Sequence, residues 1–390
     1  MKKITMILCI LLYVPSLTYP QNTRSTQEQW LTAYFAAWTH FVLPESNWGH
    51  VQTQDIDWDA FTHLIYFATG ATPDGALDPP VGPHYIFSES RLKEIVSAAH
   101  THKTPILYAI GGWGNYQGFH QAITPEVRET FIDNLLDLMT TWGFDGIDID
   151  MEPIEETDTE NYAAFITRLH ERLQELETPL LERPLLTAAV GWQPELFAEL
   201  QEKFDQINIM TYDYSNAWRG WVTWHNSPLY NRGHKLPFSR KPLPSVEGSV
   251  NQFVEAGVDK SKLGIGIDFY GYVWTGVSKP REGWIFKAPT VEDNIPYYEI
   301  MDKYYQPEFY HWDTITKASY LSIDSGDQKL FISYDDENVI RAKLNYAEHQ
   351  NLGGVFIYEL GGGHQKNQTS GGSQSLVQPI KEYRLNQRSE

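Results

Sequence analysis

The segment Phe144-Asp-Gly-Ile-Asp-Ile-Asp-Met-Glu152 sets three carboxylates at alternate positions, Asp148, Asp150 and Glu152, with Ile147, Ile149 and Met151 interleaved. In an extended chain, side chains two residues apart share a face, so the acids line one side and the apolar residues the other. Acids stacked in a poorly hydrated interior cannot all ionise, and the row must hold shared protons near neutral pH. Proton transfer is the chemistry this suits. Glu152, nearest the carboxyl end of the strand, is the candidate general acid, with Asp150 beside it to exchange a proton and Asp148 to modulate Asp150. Asp145 is out of phase and reads as structural. A hard cation is the competing reading. One strand offers its oxygens only along a line, however, and no partner cluster stands elsewhere in the sequence, so neither metal nor cofactor is expected.

Such a strand needs a frame that aims its last residue into a cleft. Eight short apolar runs recur along the chain: Leu31 to Trp38, Phe61 to Ala68, Pro105 to Gly112, Phe144 to Glu152, Leu185 to Trp192, Asp205 to Asp213, Lys262 to Tyr270 and Gly353 to Glu359. Between them lie stretches with three- and four-residue apolar spacing, such as Glu89 to His102, Pro125 to Trp142, Glu160 to Glu177 and Asp335 to Gln350. This alternation predicts an α/β fold, a (β/α)8 TIM barrel, with active residues at the carboxyl ends of its strands. The longest gap lies between the seventh and eighth strands. Its part over residues 274–332 alternates polar with aromatic residues and reads as a small α+β insertion. The acid-rich run from Glu152 to Glu160 reads as a solvated loop at the barrel mouth, and a last helix is expected around Ser375 to Tyr383.

Lys2 and Lys3 followed by an apolar stretch too short to span a bilayer read as an export signal over residues 1–20, leaving 21–390 as the catalytic barrel and pointing to a secreted protein. The one cysteine, Cys9, falls inside that signal, so thiol, disulfide and zinc chemistry are not expected of the mature chain. A net charge of −20 argues against nucleic acid or an anionic membrane as partner. The 13 Trp, 23 Tyr and 18 Phe suit a dense core and, equally, the apolar faces of sugar rings. Asn367-Gln-Thr369 is a glycosylation sequon for a host that glycosylates.

The pattern Asp-x-x-Asp-x-Asp-x-Glu over Asp145 to Glu152 resembles the signature of glycoside hydrolase family 18, the chitinases and their relatives. The resemblance runs from Ala33-Tyr-Phe-Ala-Ala-Trp38 through Ala109-Ile-Gly-Gly-Trp113 and Met210-Thr-Tyr-Asp213 to Phe269-Tyr-Gly271 and Gly353 to Gly361. It implies hydrolysis of β-1,4-linked N-acetylglucosamine polymers by a retaining mechanism in which the substrate's own acetamido oxygen is the nucleophile. Glu152 would protonate the leaving oxygen, Asp150 would hold the acetamido N–H, and Tyr212 its carbonyl. Met210 and Asp213 would line the same pocket, Tyr34 would support Asp148, Trp38 and Trp113 would stack on sugars, and Tyr270 and Glu299 would contact neighbouring units. The implied partner is chitin or its oligomers, met by a monomer.

The chain departs from that pattern where Tyr358 replaces a Trp under the sugar, where Ala109 replaces a Ser near Asp148, where Tyr272 replaces an Arg, and where Ala68 replaces a Phe. The alternatives left open are an endo-β-N-acetylglucosaminidase acting on N-glycans and a chitin-binding lectin without activity; the intact carboxylates count against the lectin.

Overall fold

A computed structural model describes residues 28–40, 51–78, 89–218, 220–283, 289–326, 328–364 and 375–388. The expected export signal and the Asn367 sequon lie outside the described residues. Fourteen strands are formed among the described residues: β1 Trp30–Ala36, β2 His63–Ala71, β3 Leu77–Asp78, β4 Ile106–Gly111, β5 Gly146–Asp150, β6 Leu185–Val190, β7 Gln206–Ile209, β8 Leu263–Asp268, β9 Tyr270–Thr275, β10 Thr290–Pro296, β11 Tyr310–Asp313, β12 Ala318–Ser325, β13 Gln328–Tyr334 and β14 Gly354–Tyr358. The helices are α1 Glu89–Thr101, α2 Tyr116–Ala122, α3 Arg128–Trp142, α4 Thr159–Leu173, α5 Pro194–Leu200, α6 Val246–Ala256, α7 Tyr297–Lys303, α8 Glu337–His349 and α9 Val377–Gln387.

Eight parallel strands pair in the order β1-β14-β8-β7-β6-β5-β4-β2, and β2 returns to β1, closing the barrel. Each predicted run overlaps one of them. The helices form because their apolar residues fall on one stripe: α3 buries Phe131, Ile132, Leu135, Leu136 and Met139, and α4 buries Tyr162, Phe165, Ile166, Leu169 and Leu173. Side-chain caps fix two of the starts. Ser245 accepts from the Gly248 N–H at α6, and Asp336 accepts from Asn338 and Val339 at α8, each cap worth about 1 kcal/mol.

Period-two alternation divides the core into two shells. Ile147, Ile149 and Met151 join the outer shell between strands and helices, while Tyr34, Ile65, Leu107, Ala109, Ala189 and Phe356 fill the barrel itself. No described helix is long and apolar enough to cross a membrane.

The second sheet is antiparallel, in the order β10-β9-β13-β12-β11. It reaches further at both ends than residues 274–332. Tyr270 does not close the seventh barrel strand as the apolar run suggested. That strand stops at Asp268, and Tyr270 opens β9, hydrogen-bonded to the insertion through β10 and β13. The acid-rich loop after β5 is likewise only partly solvated. Glu155, Glu156 and Glu160 are exposed, but Asp158 is buried because its carboxylate takes the Glu155 N–H and pairs with His120.

Candidate active site

Strand register sets the ladder. Asp148 lies between Ala109 of β4 and Thr187 of β6, and Asp150 lies beside Gly111. Asp148 is fully buried and satisfied: Tyr34 donates to Oδ2 at 2.7 Å and Thr187 to Oδ1 at 2.5 Å. Burial pushes its carboxyl up to about 6 against the pull of those two donors. Thr187 reaches Asp148 from β6, across the strand from Ala109 on β4.

Asp150 is pushed well above the ordinary carboxylate range by burial, then by the charges of Glu152 and Asp148. Its side chain is hydrogen-bonded to Glu152. Its other oxygen, Oδ1, is buried with no partner among the described residues. An orphaned buried acceptor of this kind costs free energy unless a ligand supplies the donor.

Glu152, just past the end of β5, is half-buried. Burial and then the charge of Asp213 raise it to about 7, while the hydrogen bond from Asp150 and the Trp113 N–H hold it back. Chain crossing brings that N–H within reach. Gly112 N–H donates to the Asp150 carbonyl at 2.7 Å, and a Cβ at Gly111, whose φ is +114°, would stand 2.1 Å from that oxygen. Any larger residue at 111 would push the β4 loop off the ladder.

A cup of aromatic rings surrounds the carboxylates. Tyr358, at the end of β14, packs against Tyr34 at 5.8 Å, Phe67 at 5.5 Å, Tyr212 at 6.2 Å and Tyr270 at 6.4 Å between ring centroids. Trp38 meets Phe67 edge-on at 5.6 Å. Tyr212 fits because residue 266 is glycine, where a Cβ would lie 2.6 Å from its ring. Beyond Tyr212, Asp213 adopts a left-handed φ of +58° and opens to solvent. Tyr270 and Tyr272 both donate to its Oδ1, at 2.7 and 3.0 Å. The surrounding walls strip enough water from this carboxyl to push it up to about 6 against those two donors.

Buried acids that hold a proton near neutrality, beside an unpartnered acceptor and a set of aromatic faces, can donate a proton to a bound neutral ligand and stabilise a cation forming above them. The sequence profile of glycosyl hydrolases family 18 matches residues 32–363.

This chain belongs to that family.

Among its relatives, chitinase A1 of Niallia circulans is 28% identical over 291 residues, which is 67% of this chain and 41% of the relative. A probable endochitinase of Caenorhabditis elegans is 31% identical over 272 residues, 65% of this chain and 43% of the relative. Chitotriosidase-1 of Mus musculus is 28% identical over 348 residues, 81% of this chain and 71% of the relative. The chain thus spans less than half the length of the first two. The fold is similar to the crystal structure of an Ostrinia furnacalis group IV chitinase in complex with allosamidin, with a TM-score of 0.78, 23% identity, and coverage of 92% of this chain and 100% of that one.

In this family 18 barrel, the candidates Tyr34, Asp148, Asp150, Glu152, Tyr212, Asp213, Tyr270 and Tyr358 come together at the carboxyl end of the barrel strands, with Met210 half-buried at the end of β7 in the same cluster. Trp113 stands 86% exposed at the rim, its ring free to meet a ligand while its N–H serves Glu152. Glu299 sits on α7, paired with Lys303 one turn on. Two contributors went unnamed in the sequence. Thr187 was detectable as a hydroxyl in the inward phase of an otherwise apolar strand. Asn226, whose Oδ1 accepts the Asp213 N–H at 3.1 Å, lies in a loop without periodicity to mark it.

Proposed function

We propose that this chain is a chitinase that hydrolyses β-1,4 bonds between N-acetylglucosamine units with retention of configuration. One observation carries the reading: a proton-sharing Asp150–Glu152 pair at the mouth of the barrel, with a buried Asp150 oxygen left unpartnered. Glu152 gives its proton to the glycosidic oxygen as the bond to the anomeric carbon breaks. The acetamido oxygen of the same sugar attacks that carbon from the opposite side. Asp150 Oδ1 takes the acetamido N–H and faces the positive charge of the resulting oxazolinium ring, while Tyr212 holds the acetamido oxygen. Water, deprotonated by Glu152, then opens the ring. Tyr358 floors the sugar from its place among the rings of Tyr34, Phe67 and Tyr212.

The same reading takes residues 1–20 as an export signal that releases a monomer to meet chitin outside the cell; the amino-terminal residue of the secreted protein tests it. For the chemistry, the assay is hydrolysis of soluble chitin oligomers, with product anomers followed by NMR. Release of β-anomers, abolished in Glu152→Gln, supports the chitinase. Cleavage confined to glycoprotein N-glycans would point to an endo-β-N-acetylglucosaminidase, and binding without products to a lectin.

A further inference from the structure

We infer that Asn226 and Ser227 are positioning residues for Tyr212, a buried pair that fixes the peptide groups on either side of it and so aims its hydroxyl at the acetamido oxygen. This rests on the hydrolase reading and extends its machinery to two residues that act from behind Tyr212.

Strand pairing does not hold Tyr212. β7 ends at Ile209, and Met210 makes one further bond, its N–H donating to the Val190 carbonyl at 2.8 Å. Past that point side chains take over from the ladder. The Thr211 hydroxyl accepts from the Gly266 N–H at 2.8 Å and donates to the Gly266 carbonyl at 3.1 Å, which keeps the chain beside β8. The Thr211 carbonyl accepts from the Ser227 hydroxyl, and the Asp213 N–H donates to Asn226 Oδ1 at 3.1 Å. These two groups belong to the peptide units before and after Tyr212, so the pair fixes both planes between which its side chain is hung. The next N–H, of Tyr214, donates to the Asn226 carbonyl at 3.1 Å. The Tyr212 ring then settles edge-on against Tyr270 and Phe356, each 5.9 Å away between centroids.

The pair is itself anchored from three directions. Asn226 N–H donates to Ser333 Oγ on β13 at 2.9 Å, its side-chain amide donates to Asp268 on β8 at 2.7 Å, and Ser227 Oγ accepts from Lys343 on α8 at 2.5 Å. Both residues lie in a loop outside strand and helix, yet Asn226 is 1% exposed and Ser227 2%. Polar side chains so deeply buried cost free energy unless hydrogen-bonded, and the bonds that offset that cost converge on the backbone around Tyr212. A group that must meet a reacting atom needs to be held within about 0.5 Å of its productive place, and this bracket supplies the hold that the strand no longer does.

The test measures kcat and KM of the full-length protein on soluble chitin oligomers, per mole of folded enzyme. Asn226→Ala and Ser227→Ala are each made in the wild type and in Tyr212→Phe. A misplaced Tyr212 loses more in the transition state than in the bound ground state, so each substitution should lower kcat about ten- to a hundredfold and leave KM within about twofold. In Tyr212→Phe, with no hydroxyl left to aim, the same substitutions should cost less than about threefold. Lys343→Met leaves both bonds to the Tyr212 segment in place and serves as the control for a loosened core, its kcat per folded enzyme staying within about twofold of wild type. Equal losses in the two backgrounds, an equal loss in Lys343→Met, or a lower unfolding midpoint with kcat unchanged overturns this inference while leaving the hydrolase reading intact. Should Asn226→Ala not fold, Ser227→Ala decides the cycle, because it removes one neutral donor. A wild type that cuts no oligomer overturns both.

Discussion

Two groups of buried acids lie behind the cleft, and they are built on opposite plans. Beneath the insertion, Asp268 and Asp335 surround Lys343, a fully buried cation that also donates to Ser227 at 2.5 Å and to the Gly266 carbonyl at 3.1 Å, while Asn226 serves Asp268 at 2.7 Å. In the barrel, Asp148, Asp150 and Glu152 pair with no cation among the described residues. Burial and Asp268 still hold Asp335 well above its ordinary value, so a raised carboxyl is not by itself the mark of a reaction site. The difference is closure. The Lys343 cluster is sealed from the cleft, whereas the ladder ends in a half-buried acid and leaves Asp150 Oδ1 without a donor.

The sharpest way to break this comparison is to neutralise one member of each group. Glu152→Gln should lower kcat on chitin oligomers by about 10²–10⁴-fold, the usual worth of a positioned general acid, with little change in the unfolding midpoint in acid, where Glu152 is protonated in both folded and unfolded chains. Lys343→Met should do the reverse. Two buried carboxylates left without their cation should cost about 3–5 kcal/mol in urea unfolding. If Lys343→Met unfolds like wild type, the distinction between structural and reactive acids fails.

Within the ladder, Thr187→Val removes one of the two donors to Asp148. The expected loss of stability is about 1–3 kcal/mol, read by the same unfolding, with Asp148 held protonated to higher pH. The smallest effect concerns pH. Glu152 is raised from 4.5 to about 7, so the native protein keeps a proton there that the unfolded chain has released. Stability from this group is therefore fully present below about 4.5 and falls as pH climbs towards 7. Glu152→Gln should flatten that decline, measured as unfolding free energy against pH. In the wild type, kcat/KM should fall on the alkaline side as Glu152 loses the proton it must donate.

The barrel and the ladder were readable in advance because both rest on local periodicities. Alternation alone puts Asp148, Asp150 and Glu152 on the inner face, and each of the eight apolar runs overlaps its strand, with β1 starting one residue before its run and β2 ending three residues after. What could not be read depends on register between distant segments. That Thr187 would face Asp148 follows from the stagger of β5 on β6. That Asn226 would brace Asp213, or Asp158 would be buried against His120, follows from loops that meet only once the barrel is closed. The pairing of Glu299 with Lys303 likewise depends on the segment turning into helix α7, which brings residues four apart together.

A single residue, Phe269, separates the barrel strand β8 from β9 of the outer sheet. The hydroxyls of Tyr270 and Tyr272 that grip Asp213 are thus carried by the insertion, while the acid they grip belongs to the barrel. A substitution in the appended sheet therefore alters how Asp213 is held, and through the charge of Asp213 it reaches Glu152, so the outer sheet and the carboxylate row are not free to change independently.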